Sequence, residues 1–162
     1  MSAAEIYMRI KGRPPRLAQI FHTYDPPLYF VTICTIHRQK ISDLRAAHHV
    51  FESYIRRARD EFAIAVGRYV IMPDHMHFFV RGNDDFNLAK WVNGLKRAIS
   101  VSLGATKKQP LWQPGFFDHV LRNDESYTEK WKYVRENPVR AGLVPRTDDW
   151  PHQGEFVIID RA

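Results

Sequence analysis

The chain has 162 residues, 44% of them hydrophobic and 13% aromatic, and a formal net charge of +6. These values predict one globular domain with its own core and exclude a disordered chain. Cys34 is the single cysteine, so an internal disulfide is excluded as well. No apolar run reaches the length of a membrane-spanning helix and no secretory pattern precedes the basic N-terminus, so we expect a soluble, cytoplasmic protein whose charge favours a polyanionic partner.

Residues 1–27 are predicted to form an extended basic arm, because two proline pairs remove hydrogen-bond donors and fix φ. The predicted DNA-contacting cations of this arm are Arg9, Lys11, Arg13 and Arg16. We expect them to follow a phosphate backbone; the alternative is a solvated arm without a partner.

The rest of the chain alternates between strand and helix patterns. In order, it predicts a strand at 28–35, a helix at 44–61, strands at 62–72 and 75–81, a helix at 86–103, a strand at 116–121 and a helix at 124–137. The turn Pro73-Asp74 makes the two central strands a hairpin, and Pro138 is expected to end the last helix. Beyond Gly142 the pattern is irregular, with at most an edge strand at 155–159.

The order β-α-β-β-α-β-α predicts an α+β fold, an antiparallel sheet with helices packed on one face. Ferredoxin-like topology is the nearest common fold. We expect a single domain over residues 1–162, with about 145–162 as a C-terminal tail.

His75 and His77 are the first candidates for chemistry. Alternate residues of a strand point to the same face, so both imidazoles project together while Met76 points away. Such a pair can hold a divalent cation, and histidine nitrogen suits Mn²⁺, Co²⁺, Ni²⁺ or Zn²⁺ better than Mg²⁺. The alternative is a half-exposed strand whose histidines bind nothing.

The last predicted helix carries the second candidate. Its apolar stripe runs through Tyr127, Trp131 and Val134, which is typical of a core-facing side. Tyr133 leaves that stripe, and Asn137 follows it by four residues, so phenol and amide share the polar side. A tyrosine and an oxygen ligand aimed at a metal would suit phosphodiester cleavage; the alternative is an ordinary surface tyrosine.

These motifs resemble those of a known family. The run Met72-Pro-Asp-His-Met-His-Phe-Phe-Val80 is similar to the His-hydrophobe-His motif of the HUH single-tyrosine transposases. Tyr133, followed by Asn137-Pro-Val-Arg-Ala-Gly-Leu-Val144, resembles the helix that carries their nucleophile. The segment 112–122 is similar to that of one branch, the REP-associated tyrosine transposases, and the resemblance spans about residues 24–151.

The resemblance implies an HUH endonuclease fold in which His75 and His77 ligate Mg²⁺ or Mn²⁺, Asn137 takes the place of the third ligand and Tyr133 is the nucleophile. It also implies an endonuclease that cleaves and rejoins single-stranded DNA hairpins of repetitive palindromes through a 5′-phosphotyrosine. Asp74 precedes the histidines where relatives often have Asn or Glu, and we expect this turn residue to take no part in the chemistry. No pattern points to a membrane or to a protein partner.

Several residues outside these motifs have open interpretations. Lys90 and Arg97 share one side of the helix at 86–103 and are predicted to contact DNA; the alternative is a solvated helix face. For the aromatic residues of segment 112–122, core packing is favoured over stacking on bases. His48 and His49 are expected at the surface.

Three other functions remain as alternatives. A non-cleaving DNA- or RNA-binding protein could retain the fold, although it would need neither the histidine pair nor Tyr133 and Asn137. A phosphodiesterase that activates water would make Tyr133 incidental. A replication initiator shares the chemistry, but such proteins are usually longer and have extra domains.

Overall fold

The computed structural model describes residues 26–122 and 126–159, and it contains one five-stranded antiparallel sheet. The strands are β1 (Leu28–Cys34), β2 (Ala65–Ile71), β3 (His75–Arg81), β4 (Phe117–Leu121) and β5 (Gln153–Glu155). Their order across the sheet is β4-β1-β3-β2-β5, so β3 lies at the centre between β1 and β2. The first four strands follow the ferredoxin-like order, which confirms the predicted α+β class.

Side-chain caps determine where the main helices begin. The helices are α1 (Leu44–Phe62), α2 (Leu88–Ser102), α3 (Tyr127–Arg135) and α4 (Asn137–Arg140). Asp43, Asn87 and Ser126 precede the first three, and each side-chain oxygen accepts a hydrogen bond from a backbone N–H of the first turn. Across residues 26–122 and 126–159, none of the helices combines the length and hydrophobicity that crossing a bilayer requires.

The apolar sides of α1 and α2 cover one face of the sheet and form the main core. Phe51 and Ile55 of α1 are fully buried there, as are Leu95 and Ile99 of α2. They pack with alternate strand residues such as Phe78. Each fully buried side chain of this size contributes about 1.5–3 kcal/mol to stability, so this layer holds the sheet in place.

Helix α3 packs on the other face. Its Tyr127 clusters with Phe79, and its Val134 clusters with Val70, whose side chains point away from the main core. The expectation that the helices share one face therefore holds for α1 and α2 but not for α3. The spacing of apolar residues shows which side of a helix is buried, but not which face of the sheet covers it.

A glycine in β2 allows α3 to pack closely against the sheet. The Tyr127 hydroxyl accepts a hydrogen bond of 2.7 Å from the backbone N–H of Arg68. A Cβ on Gly67 would collide with that hydroxyl, so the close contact requires a residue without a side chain.

Three predicted boundaries are shifted. Strand β2 begins at Ala65 instead of residue 62, because Ala63 adopts a left-handed conformation (φ 53°) that ends α1. The last predicted helix, 124–137, ends at Arg135 instead. Pro138 lies in the first turn of α4, where a backbone N–H has no partner within the helix, so proline costs no hydrogen bond there. The edge strand is Gln153–Glu155, not 155–159.

The expected surface position of His48 is wrong, because the C-terminal segment packs against it. His48 Nδ1 lies 3.0 Å from Nδ1 of His152, and its Nε2 lies 2.9 Å from the Tyr69 hydroxyl and 3.0 Å from Glu52 Oε1. Burial lowers the pKa of His48 against the raising effect of Glu52, and burial followed by the charge of His48 lowers the pKa of His152. The folded protein therefore takes up protons at this pair less readily than the unfolded chain does.

This pair predicts that acid destabilises the protein. The unfolded chain protonates both histidines near pH 6.5, about the ordinary value, whereas the folded pair takes protons only at lower pH. The contribution of this pair to stability should be fully present above about pH 6.5 and should be lost as the pH falls towards the lowered pKa values of the folded protein. If both rings were protonated, the two Nδ1 atoms would each carry a proton and could not share a hydrogen bond. Urea unfolding at about pH 8 and about pH 5 measures the loss.

The double variant His48→Gln/His152→Gln is the comparison, with exposed His49→Gln as the control. The double variant should show a smaller pH dependence than the wild type and the control. An equal dependence in all three proteins would contradict this role of the pair.

Candidate active site

The two predicted histidines face the same side of the sheet as α3. His75 and His77 lie on β3, and their ring centroids are 4.7 Å apart with the planes at 77°. Met76 between them is fully buried in the opposite layer, as strand alternation predicts. The backbone of β3 therefore presents both imidazoles together.

Each histidine makes a hydrogen bond through Nδ1. Nδ1 of His77 lies 2.7 Å from the Thr32 hydroxyl, and Nδ1 of His75 lies 2.8 Å from Asp74 Oδ1. Arg38 Nη2 is also 3.2 Å from Nδ1 of His75, but the shorter contact with a carboxylate acceptor favours a proton on that nitrogen. A proton on Nδ1 leaves the lone pair of the His75 ring on Nε2, which is the usual state of a metal-binding histidine, and the Thr32 hydroxyl can accept a hydrogen bond from Nδ1 of His77 in the same way.

Both imidazoles are neutral at physiological pH. Burial lowers the pKa of His77 to about 3, and repulsion from the charge that His75 would gain on protonation and from the cations Lys130, Arg38 and Arg140 adds to this effect. Burial also lowers the pKa of His75, although Asp74 opposes it. A neutral imidazole is the form that binds a metal ion, so the pair needs no deprotonation before binding.

The two tyrosines of α3 lie in opposite environments. Tyr127 is 2% exposed and belongs to the core, whereas Tyr133 is 67% exposed. Arg140 lies over the Tyr133 ring, 4.4 Å from its centroid, and its Nη2 donates to the Tyr133 carbonyl at 2.9 Å. The same Nη2 donates to Oδ1 of Asn137. Arg140 thus joins the phenol and the amide across the break between α3 and α4.

A chain of contacts connects α3 with the histidine pair. Phe30 of β1 stacks on His77, with centroids 5.2 Å apart and planes at 19°. Phe30 also contacts α3, because the Lys130 ammonium lies 4.9 Å from the centroid of the Phe30 ring. The positive charges of Lys130 and Arg140 also lower the pKa of His77. The histidines and the polar side of α3 and α4 therefore share one region of the sheet.

Four residues of this region have no predicted role from the sequence. Thr32, Arg38, Asp74 and Arg140 all contact a predicted site residue. Asp74 is expected to take no part in the chemistry, yet its carboxylate contacts His75 directly and accepts a hydrogen bond of 3.0 Å from Arg38 Nε. Burial raises the pKa of Asp74, but the hydrogen bonds from Arg38 and His75 hold it below the ordinary value.

Two of the six predicted DNA contacts lie on the face of the sheet opposite the histidines. Lys90 and Arg97 are exposed on α2, which packs on the opposite face of the sheet. The four cations of the arm, Arg9, Lys11, Arg13 and Arg16, lie outside the described residues. Contact with DNA stays a prediction for all six.

A groove of about 490 Å³ lies beside α3 at the β2–β5 edge, with Trp150 in its wall. Its two arginines are each paired with a carboxylate, Arg68 with Glu155 at 2.8 Å and Arg135 with Asp148. These pairs neutralise the groove, so it offers a phosphate less attraction than the region around the histidines.

The chain is similar to known transposases. The family model described as "Transposase IS200 like" matches residues 27–137. A REP-associated tyrosine transposase of Escherichia coli (strain K12) is 26% identical over 126 residues, covering 76% of this chain and 73% of that protein. A Haemophilus influenzae protein provisionally given the same name is 29% identical over 138 residues, covering 77% of each.

A solved structure has the same fold. The structure of a REP-associated tyrosine transposase bound to a REP hairpin matches with a TM-score of 0.68 at 23% identity, covering 80% of this chain and 77% of that one. The family match over residues 27–137 includes all four predicted site residues, and it confirms the resemblance seen in the sequence. The chain therefore belongs to the IS200-like transposase family, and it is a tyrosine transposase, an enzyme that cleaves and rejoins DNA.

Proposed function

We propose that this transposase cleaves single-stranded DNA hairpins in a divalent-metal-dependent reaction and becomes linked to the new 5′ end through Tyr133. The observation that carries the proposal is the pairing of neutral His75 and His77 with an exposed tyrosine on the same side of the sheet. Two further cations, Lys130 and Arg140, lie around this region and suit the charge of a phosphate.

The residues present fit a divalent cation. Nε2 of His75 and Nε2 of His77 would be two ligands, since both Nδ1 atoms are hydrogen-bonded. Among the described residues no third His, Cys, Asp or Glu completes a cluster, so an amide such as Asn137 or the substrate would supply the next ligand. The ion would be Mg²⁺ or Mn²⁺, and two imidazole nitrogens favour Mn²⁺.

When bound, such an ion polarises a non-bridging phosphate oxygen and stabilises the charge that develops on phosphorus. Tyr133 Oη forms a bond to that phosphorus as the bond from phosphorus to the 3′ oxygen breaks. The phenol loses its proton, and the leaving 3′ oxygen gains one and becomes a hydroxyl. One phosphodiester replaces another, so the step needs no ATP and is reversible, which permits rejoining.

Arg140 organises this end of the site. Its guanidinium lies over the Tyr133 ring and bonds the Asn137 amide, which restricts both side chains on an otherwise exposed surface. Asn137 Oδ1 keeps a second lone pair while it accepts from Arg140. The positive charge of Arg140 also lies beside the position that a phosphate must occupy for attack by Tyr133.

Two observations support a hairpin substrate: the ligand of a similar solved structure and the net charge of this chain. The similar solved transposase is bound to a REP hairpin, and the present chain carries a net charge of +6. A basic protein of the same fold is suited to the same class of polyanion.

Covalent trapping tests the proposal. Single-stranded DNA hairpins, labelled at the 5′ or the 3′ end, are incubated with the protein and Mn²⁺ or Mg²⁺ and separated on a denaturing gel. The 3′-labelled fragment should migrate with the protein, the 5′-labelled one should be released with a 3′-hydroxyl, and a chelator should abolish both products. Cleavage without a protein-linked fragment would indicate activated water instead, and binding without cleavage would indicate a non-cleaving protein.

Asp74→Asn is expected to weaken Mn²⁺ binding about 10- to 100-fold, because a carboxylate that bonds a ligating histidine fixes its tautomer and orientation. Isothermal titration with Mn²⁺ measures the loss without relying on activity. Asp60→Asn is the matched control, since Asp60 is an exposed carboxylate on α1 that pairs with Arg59. Equal affinities in the two variants would argue against the role of Asp74.

A further inference from the structure

We infer that Phe117 is a base-stacking residue that holds one unpaired DNA base beside the histidine pair. The inference rests on the proposed function and deepens it, because it names a part of the substrate site that the catalytic motifs do not include.

The sheet aligns Phe117 with the histidines. In the register of β1, Thr32 is paired with His77 on one side and with Phe117 on the other. Directly paired residues of an antiparallel sheet point to the same face, so the three side chains form a row across β3, β1 and β4. Neighbouring strands are about 4.8 Å apart, which places the backbone of Phe117 about 10 Å from that of His77.

Exposure distinguishes Phe117 from the other aromatic residues of its segment. Trp112 is buried in the main core and Phe116 packs against it, so core packing is correct for these two. Phe117 is 67% exposed, although it is large and apolar. An exposed aromatic ring at this distance from a phosphate-cleaving site is available to stack on a base, and every base has a face that suits it.

A buried lysine holds the loop that leads to Phe117. Lys96 Nζ of α2 donates hydrogen bonds to the backbone carbonyls of Gln113 and Gly115, both at 2.8 Å. In turn, Trp112 Nε1 donates to the carbonyl of Lys96 at 3.0 Å. The loop is thus fastened from both directions just before β4 begins. A ring on a fixed backbone loses little conformational entropy when a base stacks on it.

The charges near this row suit nucleic acid. Arg38 Nη2 lies 3.2 Å from Nδ1 of His75, the Lys130 ammonium lies over the ring of Phe30 on β1, and the Arg140 guanidinium lies over the ring of Tyr133. A strand of DNA that crosses the row would place phosphates among these cations and a base over Phe117. Aromatic platforms interleaved with cations are the usual surface for single-stranded nucleic acid.

The experiment measures hairpin affinity and base stacking separately. Hairpins with 2-aminopurine at successive unpaired positions at the foot of the stem report stacking through fluorescence quenching, and anisotropy gives Kd. The variants are Phe117→Ala, Phe117→Leu and Phe117→Trp. The matched control is Phe62→Ala, because Phe62 is 52% exposed at the end of α1 and lies near Arg57.

We expect Phe117→Ala to weaken binding on the order of 10-fold and to remove quenching at one position of the substrate. Phe117→Trp should restore both, whereas Phe117→Leu, which keeps an apolar side chain without a ring, should not restore the quenching. Phe62→Ala should behave as the wild type. Wild-type Kd and quenching in Phe117→Ala would overturn the inference, and so would an equal loss in Phe62→Ala.

Failure of the inference and failure of the proposed function give different results. Covalent adducts formed by the wild type together with a Phe117→Ala variant that binds normally would refute only the stacking role. Loss of binding and quenching in Phe117→Ala with no adduct from the wild type would refute only the cleavage chemistry.

Discussion

Tyr133→Phe is expected to abolish the covalent protein–DNA adduct, whereas Tyr127→Phe is expected to retain it. Both changes remove one oxygen and keep the ring. Only Tyr133 presents its hydroxyl on the exposed side of α3, next to Arg140 and Asn137. Without a nucleophilic oxygen no phosphotyrosine can form, so the adduct should fall below detection on the labelled-hairpin gel.

Stability should respond in the opposite order. Tyr133 is largely exposed, and its replacement should change the free energy of unfolding by less than about 0.5 kcal/mol. Tyr127→Phe leaves the buried backbone N–H of Arg68 without its acceptor, which should cost about 1–3 kcal/mol. Urea unfolding of the two variants beside the wild type gives both values. An adduct from Tyr133→Phe and none from Tyr127→Phe would show that the nucleophile is misassigned.

Replacement of either histidine by alanine is expected to eliminate cleavage while most of the hairpin affinity remains. His75 and His77 would be two of the metal ligands, and one remaining imidazole cannot hold the ion at the working concentration. The loss in rate should reach several orders of magnitude. Titration with Mn²⁺ should show the loss of metal binding directly, independently of DNA.

His49→Ala is the control, since this exposed histidine lies on α1, which covers the other face of the sheet. It should bind Mn²⁺ and cleave DNA as the wild type does. Because the pKa of His77 is lowered to about 3, proton competition at this ligand should stay weak down to mildly acidic pH. Cleavage at the wild-type rate by His75→Ala or His77→Ala in Mg²⁺ or Mn²⁺ would refute the assignment of the metal site.

Much of the architecture and the central candidates could be predicted from local patterns. Strand alternation is a property of a single element, and it is sufficient to put His75 and His77 on one face and Met76 on the other. Helical spacing likewise separates Tyr133 from the buried Tyr127 on the same helix. The alternation of strand and helix patterns gave the α+β class, because each element carries its own period.

The break between α3 and α4 shows where local patterns fail. The sequence predicts one helix that ends at Pro138, yet the chain stops α3 at Arg135 and begins a new turn at Asn137. A proline is compatible with a helix end and with a first helical turn alike, and the surrounding packing selects between them.

Local patterns therefore predict most elements and their buried and exposed sides: the histidine face of β3, the buried and exposed tyrosines, and the family motifs. Which of these sides meet depends on the folded chain. The face that α3 covers, the contacts of Thr32 and Asp74 with the histidines, and the row that carries Phe117 all depend on pairing between distant segments. Such pairings follow from strand register and from packing of the whole core, which no local period encodes.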